Sequence, residues 1–367
     1  MAVQYVKVRS DVDQFAPVVR PTGAVAIVGV AGEGVEDVPV QVTTTKEAST
    51  AFGDASGSAL TRALHTALRQ TPGPSQLWGV RGGGDLTDAL TAVELLDVQF
   101  VVLADTPLEA NSVAPDGAVT KLVEHVTTVS KAGDGKERMG VVMLPRDSVD
   151  TTLIGGTLAD DRMVYVAHRS PADDVAAAVA GTIAGHPPHV SMVLKPVAVT
   201  SDLFTNAQLD SLNGVETFGE GPAGKGVNWL ASPSLLPGRG IYLGEGYTGR
   251  PAGMKYIDVQ RTVDDVAFRI KARLIRAIGT LRISRVGLRA LELQLETVLN
   301  RLVADGVIEG YAITIPVLDL LDADPATLTE AQREEIQQAQ VKRVAAVVVD
   351  IDYAGNVHRI DAQMTVK

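Results

Sequence analysis

Residues 219–226 (GEGPAGKG) carry the glycine and lysine positions of a phosphate-binding loop, in which backbone N–H groups cradle phosphate and a lysine reaches its outer oxygens. The position after Lys225 is Gly226, where a magnesium-binding Ser or Thr belongs. Pro233 and Pro237 then interrupt the helix whose N-terminus would hold the phosphate, so nucleotide binding is not expected. Residues 29–34 (GVAGEG) follow an apolar strand, but they run G-x-x-G-x-G, the reverse of the dinucleotide fingerprint, and a strand follows where a helix is needed. His186 and His189 in HPPH could converge on a metal, yet the intervening prolines forbid helical pairing and no third ligand lies nearby. His65, His125, His168 and His358 stand singly, and no Gly-x-Ser-x-Gly elbow is present. Zero cysteines remove disulfides, thiol catalysis and thiolate metal sites. The expectation is a chain with no catalytic, cofactor-binding or metal-binding residues, and no cofactor.

One concentration of charge remains. Residues 255–301 hold Lys255, Arg261, Arg269, Lys271, Arg273, Arg276, Arg282, Arg285, Arg289 and Arg301 against Asp258, Asp264, Asp265, Glu292 and Glu296. Three readings stand: solvated helix faces, an inter-subunit salt-bridge surface, or a nucleic-acid patch, the last weakened because Tyr256 and Phe268 alone are interleaved as aromatics. The whole chain carries a formal charge of −11, which disfavours a phosphate backbone as partner. No apolar run approaches the ~20 residues of a bilayer span, and residues 1–20 contain Lys7, Arg9, Asp11 and Asp13 with no signal-type apolar block. The chain is therefore expected to be made and folded in a cytoplasm, away from membrane and nucleic acid.

The elements that would position any site follow from periodicity. At 367 residues and 46% hydrophobic, the chain can bury a large core and favours two domains. Apolar strands are expected at 24–31, 38–43, 77–81, 99–104, 139–145 and 162–167, with helices at 45–52, 57–70, 86–96, 117–131 and 171–184. Strands alternating with helices argue for an α/β arrangement with a mostly parallel sheet. Residues 186–255 are Gly- and Pro-rich and irregular, with candidate strands 190–194 and 240–243. Two periodic helices follow. Val259, Val263, Val266, Ile270, Leu274 and Ile278 form one stripe; Leu288, Leu291, Leu295, Leu299 and Leu302 form the next, opened by Ser284 and stopped at Gly306. A strand at 310–317 and a helix at about 327–340 precede the end of the chain.

Both ends read as strands with nothing local to pair with. Residues 2–12 alternate, and residues 344–366 suggest two strands around Ala354-Gly355-Asn356. Open strand edges invite another chain, so a polymer subunit is expected. The positions expected to carry such strand exchange are Val3, Tyr5, Val6, Val8, Val347, Val349, Ile351, Ile360, Met364 and Val366.

The order of segments also resembles the contractile tail sheath family of phages and related injection systems. The carriers are Gly29, Ala31 and Gly34 after the first strand, Pro39, Val40, Val42 and Thr43 in the second, Phe52-Gly53, and the strand closing on Val80-Arg81. Residues 256–317, with NRLVADGVIEGYAITI after the paired helices, continue the same order. The chain is short for that family and lacks its usual N-terminal Pro-Gly-Val-Tyr followed by an acidic pair. The resemblance implies an α+β inner domain from residues 23–90 plus 256–367 ending in a strand hairpin, an inserted outer α/β domain at 91–255, and an N-terminal arm and linker at 1–22. It further implies a structural subunit and not an enzyme, located in a virion tail or bacteriocin-like device and assembled in the host cytoplasm. Such a subunit polymerises helically on itself around an inner tube, contacts baseplate and tail terminator proteins, exchanges terminal strands, and contracts. Arg269, Arg273, Arg276, Arg285 and Arg289 would then be candidates for charge contacts between subunits. Two other readings stay open: a Rossmann-like enzyme or ligand-binding protein, from the strand–helix alternation at 86–184, and another virion structural protein such as a tail terminator or capsid component.

Overall fold

In the computed structural model the described residues are 23–216, 224–236, 240–251 and 255–360. They form two compact units, one spanning 266–354 and the other 23–265 with 355–360.

The larger unit is built on an eight-stranded sheet. Its strands are β1 (Ala24–Gly29), β2 (Pro39–Val42), β3 (Gln76–Arg81), β4 (Phe100–Leu103), β5 (Met139–Met143), β6 (Met163–Ala167), β7 (Val227–Ala231) and β8 (Tyr242–Leu243), in the order β2-β3-β1-β4-β5-β6-β7-β8. The six central strands run parallel, while β2 and β8 close the edges antiparallel. Side chains alternate across a strand, so a strand covered on both faces reads as a near-continuous apolar run. Val25 and Ile27 enter one core while Ala24, Ala26 and Val28 enter the other, and β4 divides Phe100 and Val102 from Val101 and Leu103 in the same way.

The helices sort onto those faces. α1 (Thr45–Phe52), α2 (Ala59–Leu68) and α5 (Val175–Gly185) cover the first; α3 (Thr87–Glu94) and α4 (Ala118–Lys131) cover the second. Caps mark where they begin: Thr44 accepts from Glu47 N, Ser58 from Thr61 N and Asp174 from Ala177 N. α5 is apolar all round and buried nearly throughout, and its alanines and Gly181 allow close approach to α2, since a Cβ on Gly181 would lie 3.0 Å from Ala67 O. Gly53, at φ 86°, ends α1 in a conformation that favours glycine.

Three expectations need correction. The division at residue 90 fails, because β1 pairs with β3 on one side and β4 on the other, making 23–90 and 91–255 one sheet. The Gly- and Pro-rich stretch hides α6 (Asn206–Asn213) and the sheet strand β7, whereas 190–194 forms no strand. The expected stripe in α7 (Ile257–Leu274) is displaced over its first half: Val263 is 43% exposed, and Asp258, Gln260, Arg261, Thr262 and Asp265 are buried instead.

The smaller unit contains the rest of α7 together with α8 (Arg285–Ala304), β9 (Gly310–Thr314), α9 (Pro316–Asp322), α10 (Glu330–Lys342) and β10 (Val348–Asp352). Ser284 caps α8 and Gly306, at φ 69°, follows its end, as the spacing predicts. Val266, Leu299, Leu302, Val307 and Ile308 form one small core, with Tyr311, Ile313 and Val349 packed on it. Leu288, Ile315, Val317 and Leu318 form a second, with Val347 against it. Pro316 ends the expected 310–317 strand early, because proline suits the first turn of α9 and has no N–H for a ladder.

Candidate assembly site

The strand candidates at the carboxyl end come together differently from the sequence expectation. β10 pairs antiparallel with β9, setting Val349 opposite Ile313 and Ile351 opposite Tyr311. No strand forms over 353–360, so the hairpin about Ala354-Gly355-Asn356 is not found among the described residues. The reason is competition: β9 already presents a ladder and an apolar face through Tyr311 and Ile313, whereas residues 355–360 are drawn to polar partners. Val347 and Val349 are partly buried, Ile351 is 37% exposed and Ile360 78% exposed. Val3, Tyr5, Val6, Val8, Met364 and Val366 lie outside the described residues. Among the described residues, β9 and β10 form a two-stranded sheet with no further strand on either outer edge.

The arginines separate. Arg289 donates to Glu292 at 2.8 Å and to Asp322 at 2.6 Å, and Arg285 Nε pairs with Asp322 at 2.8 Å. One acidic residue at the end of α9 thus holds two arginines a helical turn apart on α8, within a single unit. Arg269 and Arg273 are half-buried in α7, and Arg276 is exposed in the turn that follows.

Residues 355–360 belong to the larger unit. Asn356 Nδ2 donates to His189 O at 2.9 Å and to Asp258 Oδ2 at 2.7 Å, and His358 Nε2 lies 2.8 Å from Ser191 Oγ. Arg359 forks onto Glu216 at 2.6 and 2.8 Å and reaches Glu245 at 2.5 Å. Glu245 is wholly buried, and its second oxygen faces His358 Nδ1 at 3.4 Å, neither atom having a hydrogen-bond partner. Hydrogen bonding to Glu216 holds the Arg359 guanidinium above its ordinary range, and the same bonds hold Glu216 below the usual carboxylate range. Burial pushes Lys255, which lies over the Tyr247 ring, down. Nothing in the sequence announces this cluster, because Asn356, His358 and Arg359 meet partners 98 to 167 positions away and none belongs to a spaced motif.

Lys225 N donates to Asn213 Oδ1 and its Nζ reaches Ser211 O, and β7 follows in place of a phosphate-binding helix; residues 219–223 lie outside the described residues. His186 and Pro187 offer their carbonyls to Arg261, whose guanidinium is pushed down to about 10 by burial. No group of three metal-ligating side chains occurs among the described residues. At the carboxyl ends of β4, β5 and β6, where doubly wound folds hold ligands, lies a cleft of about 470 Å³. Among its charged groups, Arg62 pairs with Asp105 at 3.1 Å, and Asp174 accepts from Ala177 N and Asp105 N. His168 Nδ1 accepts from Ser170 N.

No protein-family model matches this chain, and no curated protein matches it in sequence. Solved structures do match in fold. The chain is similar to the helical sheath of the anti-feeding prophage in its contracted state, with a TM-score of 0.68 at 15% identity over 100% of this chain and 99% of that one. It is similar to the contracted sheath of an extracellular contractile injection system, with a TM-score of 0.67 at 15% identity over 100% and 98%. It is also similar to a chain of the contracted anti-feeding prophage baseplate, with a TM-score of 0.66 at 16% identity over 100% and 98%. The fold, mixed α/β with a mostly parallel sheet, is that of contractile sheath proteins.

Proposed function

We propose, with the sheath fold as premise, that this chain is the structural subunit of a contractile sheath in a phage tail or related injection system. Its subunits polymerise helically on one another around an inner tube, end on baseplate and terminator proteins, and contract to drive the tube through an envelope. Assembly takes place in the host cytoplasm. The work is mechanical and not enzymatic, since the energy resides in the lattice and no nucleotide is called for.

The observation that carries this reading is the two-stranded β9–β10 sheet with both outer edges open among the described residues. Two strands alone are marginal in water, and main-chain groups along an open edge accept an added strand. Val3, Tyr5, Val6 and Val8 from one neighbour, and Met364 and Val366 from another, are the strand positions we assign to those edges. A head-to-tail contact that does not close generates a helix. Arg273 and Arg276 are the charges we assign to contacts that change between lattice states, Arg269 being a further candidate. Likeness to chains of contracted sheaths along the whole length supports the same reading.

The test is negative-stain electron microscopy of the full-length protein beside a version lacking residues 1–20. Tubes or rings from the first and single subunits from the second are expected. Small discrete oligomers from both would overturn strand sharing.

A further inference from the structure

The cleft at the carboxyl ends of β4, β5 and β6 is walled by three loops that are fastened to one another. Each brings a proline to the wall, Pro107 after β4, Pro145 after β5 and Pro171 after β6, and a proline fixes its own φ. Leu108 N donates to Met143 O at 2.8 Å, Asp147 N to His168 O at 3.0 Å, and Asp105 N to the Asp174 carboxylate at 2.8 Å, so each loop is tied to a neighbour. A site held in this way loses little freedom when something enters it. With Met143 and Leu144 adding apolar surface, the cleft of about 470 Å³ has the size and character of a small-molecule site.

Most of its charged groups already have partners. Arg62 holds Asp105, Arg69 holds Asp173 at 2.5 Å while Thr200 N donates to the same carboxylate, and Asp174 accepts two backbone N–H groups. Two groups are left over among the described residues. The Glu109 carboxylate, in the loop after β4, has neither an ion pair nor a hydrogen bond. Arg146, in the loop after β5, approaches Asp147 through Nε at 3.3 Å, and its two Nη atoms have no partner. Asp147 is held more closely by Arg169, at 2.7 Å. Since β4 and β5 are adjacent strands, a carboxylate and a guanidinium fork line one apolar cleft without pairing.

We infer that this cleft binds a small zwitterion of the amino-acid class, its carboxylate on the Arg146 fork, its ammonium on Glu109 and an apolar side chain against Met143 and the prolines. A guanidinium matches a carboxylate with two parallel hydrogen bonds, and an ammonium needs no more than one carboxylate. A phosphate or a dicarboxylate would bring further negative charge to Glu109, and a polyamine would leave Arg146 unanswered. The inference does not depend on the polymer reading, because every group it uses belongs to the larger unit of one chain.

Four probes test it, each titrated calorimetrically into the full-length protein. They are leucine, leucinamide without the carboxylate, N-acetylleucine without the ammonium, and glycine without the side chain. Saturable binding of leucine is expected, with the other three about tenfold weaker or more. Arg146→Gln should then bind leucine and leucinamide alike, and Glu109→Gln should bind leucine and N-acetylleucine alike, a pattern that a damaged cleft would not reproduce. Both side chains are exposed, so both variants are expected to melt as wild type does. No saturable binding of leucine, equal affinity for all four probes, or discrimination that survives both substitutions overturns the inference. The probe series in the wild type decides it even without a folded variant.

Discussion

Arg162 and Asp264 lie 102 positions apart in sequence and share two hydrogen bonds, Nη2 donating to Oδ1 at 2.8 Å and Nη1 to Oδ2. Both side chains are largely buried, and Gln260 Nε2 donates to the same carboxylate at 3.1 Å. Burial pushes the Asp264 carboxyl up, and Arg162 pulls it back. The pair fastens the turn before β6 to the first half of α7. Arg162→Ala is expected to cost roughly 3 kcal/mol in urea unfolding, since it strands a buried carboxylate, whereas Arg162→Met with Asp264→Leu recovers most of the loss. Equal losses in the single and double variants would refute this account.

Acid should weaken the larger unit through a buried histidine. His125 is held down to about 4, first by burial and then by the Arg138 guanidinium 3.1 Å away. Its native value lies below the 6.5 of a free imidazole, so the unfolded chain binds the extra proton. Stability from this group is complete above pH 6.5 and is lost as pH falls toward 4. Burial shifts His168 in the same direction. The melting temperature of wild type should fall by roughly 5 °C more than that of His125→Gln between pH 7 and 4.5. Parallel melting curves would remove His125 from the account.

Gly79 in β3 leaves space that Phe52 fills. A Cβ there would lie 2.5 Å from the Phe52 ring and 3.0 Å from Leu64. Gly79→Ala is expected to destabilise by about 2 kcal/mol, partly relieved by Phe52→Leu in the same chain. Thermal unfolding of the single and double variants measures both effects.

Asp322→Ala removes a carboxylate shared by Arg285 and Arg289, yet the arginines are more than half exposed. A loss under about 1 kcal/mol, shrinking further in salt, is expected from calorimetry. Arg273→Glu with Arg276→Glu, by contrast, should impair tube assembly or contraction, read by electron microscopy. Unchanged tubes would withdraw those two positions from the interface.

Val349→Asp sets a carboxylate against the small core of Val266, Leu299, Leu302, Val307 and Ile308. A cost of about 2–3 kcal/mol to that unit is expected, together with loss of tubes, while near-ultraviolet circular dichroism retains the signal of Trp78 and Trp229 in the larger unit. Tubes in normal yield would mean that β10 is dispensable for assembly.

Much of the fold was legible in the sequence, because a strand covered on both faces tends to a near-continuous apolar run and a helix on a core repeats near 3.6. Ala24–Gly29, Phe100–Leu103 and Met163–Ala167 announce themselves in this way, as do the leucines of α8 between Ser284 and Gly306. So did the failure of the phosphate-loop motif, since proline and a missing Ser or Thr are local facts. Pairing was decided by tertiary structure alone. Ladder hydrogen bonds join backbone to backbone and leave no mark on side-chain identity, so the sequence could not say that β1 lies between β3 and β4, uniting a sheet that it seemed to divide, or that β10 chooses β9 over the residues that follow it. β7 went unseen among glycines and prolines for a related reason: it is held by Asn228, which donates to Tyr165 O and Tyr247 O, and not by an apolar run long enough to stand out. The polar clasps Arg162–Asp264 and Arg359–Glu245 are likewise products of the fold. A charged residue looks like any solvated one until burial removes its water and obliges it to find a partner.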